Sequence, residues 1–160
     1  MTTPTAFTRH NLDRQGFGDL DDESVSRYRW SLRFAPGVGT CLVMIGLVLR
    51  SPIWLGSMSL VAVSGALFPR AMAIDLVYNL GFRHLFRAPA LPSTPTPRRF
   101  SYLLSTILLA SSALSFSSGQ PVLGWILGGM VVIGGAILTS TLWCLGSWFY
   151  RLCFDNGDLR

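Results

Sequence analysis

The sequence holds few of the side chains that do covalent or metal chemistry: three cysteines, two histidines and eight carboxylates. Cys144 has the most suggestive setting, in Cys144-Leu145-Gly146-Ser147 at the end of a long apolar run, with Cys153 further on. A thiolate can attack a disulfide or carry sulfur, but an internal redox pair needs two thiols within reach of each other. Cys153 meets Cys144 only if the chain bends back, so a partner's thiol is the other route. Failing both, Cys144 is a packed or lipid-facing residue. Together with Cys41, which falls inside an apolar run, these cysteines form neither a disulfide framework nor a zinc pattern.

His10 and His84 are isolated, with no cysteine or acidic neighbour at ligand spacing, so no metal site is expected. His84 could ligate the magnesium of a chlorophyll or the iron of a haem from a membrane interface, or serve as an ordinary interfacial polar group; the cofactor is left unknown. Asp19, Asp21, Asp22 and Glu23 could attract a cation but lack the glycine and carbonyl spacing of a calcium loop. Capping the start of a helix explains them better. No phosphate-binding glycine loop and no nucleophile elbow is present. No Asp, Glu, His, Lys or Arg lies in the apolar stretches 34–49, 53–68, 100–118 or 122–142. That counts against a proton-coupled carrier, since such residues usually mark ion and proton paths. The last stretch has no proline break, so a broken-helix ion site has no support either.

The elements that position these residues are dictated by charge segregation. Half of the residues are hydrophobic (50%) and only 13% are charged, against about a quarter charged in soluble domains. The charges sit in blocks at 9–33, 70–99 and 151–160, and Arg50 alone lies between them. This is the layout of an all-α polytopic membrane protein. Every basic side chain is arginine, which fits either bidentate binding of lipid phosphate or the codon usage of a GC-rich genome. The net charge of +5 reads as positive-inside, and no basic stripe with interleaved aromatics points to nucleic acid.

The expected organisation has three parts. Residues 1–33 form a cytoplasmic polar leader, irregular over 1–18 and then a short helix capped at Asp19. Residues 34–152 form a four-helix transmembrane domain with spans at 34–49, 53–68, 100–118 and 122–142. Residues 153–160 are a cytoplasmic tail. The first run reaches roughly 24 Å, short of a ~30 Å hydrocarbon core, and the first two spans could instead form a shallow hairpin. Ser51 and Pro52 suit the N-cap and first position of the second helix. Over 71–87, Asp75, Asn79, Arg83 and Arg87 recur at one helical spacing, which predicts an interfacial amphipathic helix. Four prolines over 88–97 predict an extended connector. Arg50 is the only arginine in the two short turns, so the leader, the middle connection and the tail are expected in the cytoplasm of a bacterium. Arg33, Arg83, Arg87, Arg98 and Arg99 are expected at lipid headgroups.

Gly124, Gly128, Gly135 and Thr139 share one face of the fourth span, and Ser101, Ser105 and Ser112 one face of the third. In lipid, helices associate by close backbone approach, so these faces are expected to dock. Alternatively the glycine face receives another subunit or a pigment tail.

Arg33-Phe34, Pro97-Arg98-Arg99-Phe100, and Cys144-Leu145-Gly146 followed by Tyr150 resemble a family of small bacterial multi-pass membrane proteins catalogued as domain of unknown function 4395. The likeness covers about 30–152. It implies a multi-pass membrane fold and a Cys-Leu-Gly-Cys element suggestive of thiol redox or sulfur handling; Ser147 stands at the second cysteine position here. The leading expectation is a non-catalytic integral membrane protein of the bacterial inner membrane. Its partners would be membrane lipid and other membrane subunits, as an accessory or scaffolding subunit of a photosynthetic or respiratory complex. The alternatives are thiol chemistry at Cys144 and a small solute or lipid channel.

Overall fold

The computed structural model describes residues 6–14, 22–68 and 95–154, and every regular element among them is an α-helix. These are α1 (Ala6–Arg14), α2 (Asp22–Val48), α3 (Pro52–Leu67), α4 (Thr96–Ser117), α5 (Pro121–Thr141) and α6 (Leu145–Phe154). Three of them open on proline in the first turn, where the missing N–H is harmless because the first N–H groups of a helix have no partner within it. Ser51 caps α3 through its Oγ, which accepts from Trp54 N at 3.3 Å. The α2–α3 turn passes through Arg50 at φ 48° and the α4–α5 turn through Gly119 at φ 75°.

Several boundaries differ from expectation. The leader is not irregular throughout: α1 forms within it, braced by an Arg9–Asp13 ion pair one helical turn apart. Its Leu12 and Asn11 are buried, and Asn11 Nδ2 donates to Thr141 O at 3.0 Å. The leader helix and first span are one helix, α2, which continues through Pro36; the Thr40 hydroxyl donates to the Pro36 carbonyl at 2.7 Å. α4 starts at Thr96, inside the stretch expected to be an extended connector. α5 stops at the expected place, where Leu142 turns left-handed (φ 54°), but a separate helix, α6, follows it, and residues 155–160 of the expected tail lie outside the described residues. The amphipathic segment 71–87, with Arg83, His84 and Arg87, lies outside the described residues.

The four long helices form a ring in the order α2, α3, α4, α5, each packed on its two neighbours. Contacts along each pair run antiparallel. Trp54 Nε1 of α3 donates to Leu42 O of α2 at 2.8 Å. Ser59 Oγ of α3 donates to Thr106 O of α4 at 3.0 Å, and further along Arg99 Nε of α4 donates to Ala66 O at 2.8 Å. Ser112 Oγ of α4 donates to Gly124 O of α5 at 2.7 Å. Gly37, Thr40 and Leu47 of α2 pass Thr139, Gly135 and Gly128 of α5 in reverse order. One end of the ring therefore carries the start of α4, the ends of α3 and α5, and both α1 and α6; the opposite end carries the two tight turns.

The inside of the ring mixes leucine and valine with small and hydroxylated residues, and large apolar residues face outward. Val43, Leu47, Leu55, Leu109 and Ala113 form the core cluster, joined by buried Ser59, Ser112 and Ser115. Ile53 (84% exposed), Val122 (72%) and Leu60 (70%) face outward. Thr96–Ser117 and Pro121–Thr141 are long and apolar enough to cross a membrane, with mean hydropathies of 1.4 and 2.1; Pro36–Val48 and Pro52–Leu67 are shorter apolar helices.

Candidate functional site

The glycines of α5 do not all meet the same neighbour, and the site arises from that division. Near the α4–α5 turn, Gly124 lies against the Phe116 ring and Ser112, and Gly128 fits between Ser112 and Leu47. Toward the other end, Gly135 lies against Thr40 and Thr139 against Gly37, so α5 leans on α2 there. α4 meanwhile stays with α3 through Ser59 and Arg99. Between these contacts lies a cavity of about 190 Å³, lined by all four helices and open on one side. Ser105, expected to dock on a glycine, instead lines this cavity, and so does Gly135 at its edge.

The body of the cavity is apolar, with Val43, Met58, Ala62, Leu109 and Val131 in its wall. α6 closes the end where α4 begins. Its Gly146 packs on the Ser101 backbone, where an added Cβ would lie 2.8 Å from Ser101 Cα. Phe100 stacks on Phe149 at 6.4 Å between centroids with 13° between planes, and meets Tyr150 at 5.6 Å. Cys144, just ahead of α6, is buried and lines the cavity; its Sγ lies 2.9 Å from Ser101 Oγ. Ser101 Oγ also donates to Pro97 O at 3.4 Å, which leaves the thiol as the natural donor of the shared bond. Arg98, only 6% exposed, lines the same end.

The other arginines of that end point elsewhere. Arg33 Nη2 donates to Ser140 O at 3.0 Å and Arg99 Nε to Ala66 O, so both cap the carbonyl ends of neighbouring helices. Leu104, Met130 and Leu145 line the cavity and are also exposed. They mark a mouth on the flank of the bundle between α4, α5 and α6.

The thiols are free. Cys144 and Cys153 sit at opposite ends of α6, roughly 13 Å apart along the helix, beyond the ~7 Å Cα separation that a disulfide spans. No group of three or more histidine, cysteine or carboxylate side chains close enough for a metal occurs among the described residues. Sequence reasoning placed Cys144 at the end of the last span but not beside Ser101. It also missed Arg98 turning inward and α6 as a helix of its own. The signal for α6 was present: Leu145, Trp148, Phe149 and Leu152 follow a helical spacing, and all four are exposed.

A family model described as a domain of unknown function (DUF4395) matches residues 29–154. The chain belongs to the DUF4395 family. No curated protein and no solved structure matches it. The DUF4395 region contains the ring, the cavity and α6, whereas α1 precedes it. Ser147, at the position where the DUF4395 resemblance implies a second cysteine, is 1% exposed, and its Oγ has no hydrogen-bond partner among the described residues. A thiol would be left less in want of a partner there than a hydroxyl, because buried cysteine behaves as a small apolar residue.

Proposed function

We propose that this DUF4395 protein is a four-span protein of the bacterial cytoplasmic membrane that holds a lipophilic guest inside its bundle without transforming it. The observation that carries this reading is the apolar cavity whose mouth opens sideways onto an apolar flank. A guest entering there comes from lipid rather than from water. Mostly apolar, concave sites with a few polar groups at one end are the usual form of small-molecule pockets. Four spans fit the ring, since α2 and α3 complete the wall as fully as α4 and α5 do. The glycine, serine and threonine contacts of α5 with α2 and α4, with large apolar residues outside, are what association in lipid favours. The end rich in arginine belongs in the cytoplasm by the positive-inside rule. A protein that binds a guest but leaves it unchanged acts for a partner, which favours an accessory subunit of a larger membrane assembly.

Gentle detergent extraction, capture through a C-terminal tag, and mass spectrometry with an absorbance spectrum test this reading. A stoichiometric lipophilic molecule together with a partner subunit is the expected result. Protein recovered without any guest from freshly prepared membranes would overturn the binding role.

Topology is open to thiol labelling, because Cys41 and Cys153 are exposed on the bundle and Cys144 is buried. A membrane-impermeant maleimide should label Cys153 in inverted vesicles but not in intact cells. Cys41 should stay unlabelled in both, as its exposed face is covered by lipid. Rapid labelling of Cys41 in intact membranes would contradict the first span.

A further inference from the structure

We infer that α6 lies flat in the cytoplasmic leaflet, with Leu145, Trp148, Phe149 and Leu152 among lipid chains just below the headgroups, and that the cavity mouth beside it draws on that leaflet. This deepens the lipophilic-guest reading and rests on its four-span topology. The direction of α6 follows from what it touches. Gly146 packs on Ser101, while Phe149 and Tyr150, one turn further along α6, both meet Phe100. Over that turn α6 advances roughly 5 Å, yet its contact on α4 shifts by a single residue, about 1.5 Å. Helices lying alongside each other would advance together, so α6 runs across α4. A helix that crosses a spanning helix near its end lies in the plane of the bilayer.

The exposed side of α6 fits lipid. Leu145, Trp148, Phe149 and Leu152 recur at helical spacing as one apolar stripe, each between 40% and 59% exposed, while Gly146 packs on Ser101 and Ser147 is buried. The stripe continues the apolar flank of the bundle, because Leu145 shares the mouth with Leu104 and Met130. What covers that flank also covers the start of α6, and in a four-span protein it is lipid. Tryptophan and its aromatic neighbours suit the level where chains meet headgroups. Arg33 and Arg99 sit at the same end, the sign that complements the anionic lipids of a cytoplasmic leaflet. A helix with one apolar face binds at that level by burying the face. Cys153, exposed, falls at the edge of the stripe, where chains give way to headgroups and water. Met130 lies midway along α5 and Leu145 opens α6. The mouth therefore runs from mid-membrane to the headgroup boundary within one leaflet, and a guest enters from that leaflet.

The test uses the full chain in liposomes of phosphatidylcholine and phosphatidylglycerol, with Cys41, Cys144 and Cys153 replaced by alanine. Single cysteines from Leu145→Cys, Trp148→Cys, Leu152→Cys and Met130→Cys carry a nitroxide. Its depth is read from collisions with oxygen, which dissolves in lipid, against a water-soluble nickel chelate. The three α6 labels should collide mainly with oxygen and share one depth to within ~2 Å, about one residue's rise, some 5–10 Å into the boundary. The Met130 label should read deepest, near mid-membrane, so that the two rims of the mouth bracket one leaflet. A depth that changes by about 10 Å from Leu145 to Leu152 means an upright helix and overturns the proposal. So do labels at Trp148 and Leu152 dominated by the nickel chelate, the result for a face left to water or to a protein partner. A water-exposed Met130 label would instead count against the four-span reading itself. Should a cysteine variant fail to fold, the native sequence gives the same answer through Trp148→Phe. The fluorescence that this substitution removes should be quenched by shallowly brominated lipid and spared by deeply brominated lipid; no quenching by either overturns the seat of α6 in lipid.

Discussion

A Gly128→Leu protein should fail to keep its ring closed, losing on the order of 3 kcal/mol or more, at the severe end of overpacking. Gly128 is the point where α2, α4 and α5 come together: a Cβ added there would collide with Leu47 and lie 3.0 Å from Ser112 Oγ. Leu47 is itself 2% exposed and Ser112 fully buried, so neither side chain can swing into solvent. Relief requires α5 to withdraw, which also breaks the bond from Ser112 Oγ to Gly124 O. Thermal melting in mild detergent, followed by circular dichroism and size-exclusion chromatography, checks this. Gly128→Ala should fall between the leucine variant and the wild type. A leucine variant melting with the wild type would mean that the helices do not approach as described.

The same substitution further along the same helix should have the opposite consequence. Gly134 lines the cavity, and a Cβ added there meets nothing within 4 Å. Gly134→Leu therefore projects into empty space and removes a glycine from a helix interior, which favours the helix by about 0.8–1 kcal/mol. The variant should melt no lower than the wild type yet lose its co-purifying guest almost completely, because the new side chain occupies the guest's place. Guest retained at wild-type stoichiometry would put the binding site elsewhere. Together the two glycines separate packing from binding: one substitution opens the ring, and the other fills the cavity with the ring intact.

The helices were legible because each apolar run is long and each tight turn is signposted. Arg50-Ser51-Pro52 and Gly119-Gln120-Pro121 combine a residue that turns left-handed with a proline that starts the next helix. The fourth span ends at Leu142 as expected, although no turn residue marks that place. A left-handed leucine has no local signature and is held by its surroundings, where it is 1% exposed. The start of α4 was misplaced because prolines were read as excluding a helix, although Pro97 falls in the first turn, where they are tolerated. Periodicity grouped the serine and glycine faces, but it cannot say which neighbour each position meets. Ser112 meets α5, Ser101 meets α6 and Ser105 lines the cavity. The cavity is lined by residues of all four helices, a three-dimensional outcome that no spacing within one helix encodes. Arg98 shows the same limit: next to Arg99 in sequence, it points inward while its neighbour caps α3.

The order of the ring also bears on how the chain is made. Its helices emerge from the ribosome as two hairpins, α2 with α3 and α4 with α5, and each can close on itself as soon as its turn is synthesised. The seam between α2 and α5 joins residues nearly a hundred positions apart, such as Thr40 and Gly135, so it must be the last to zip. Until then the small-residue strip of α2 lacks its mate. Once α5 arrives, Asn11 of the leader can latch onto Thr141. α1 thus takes its final place only after α5 has been made.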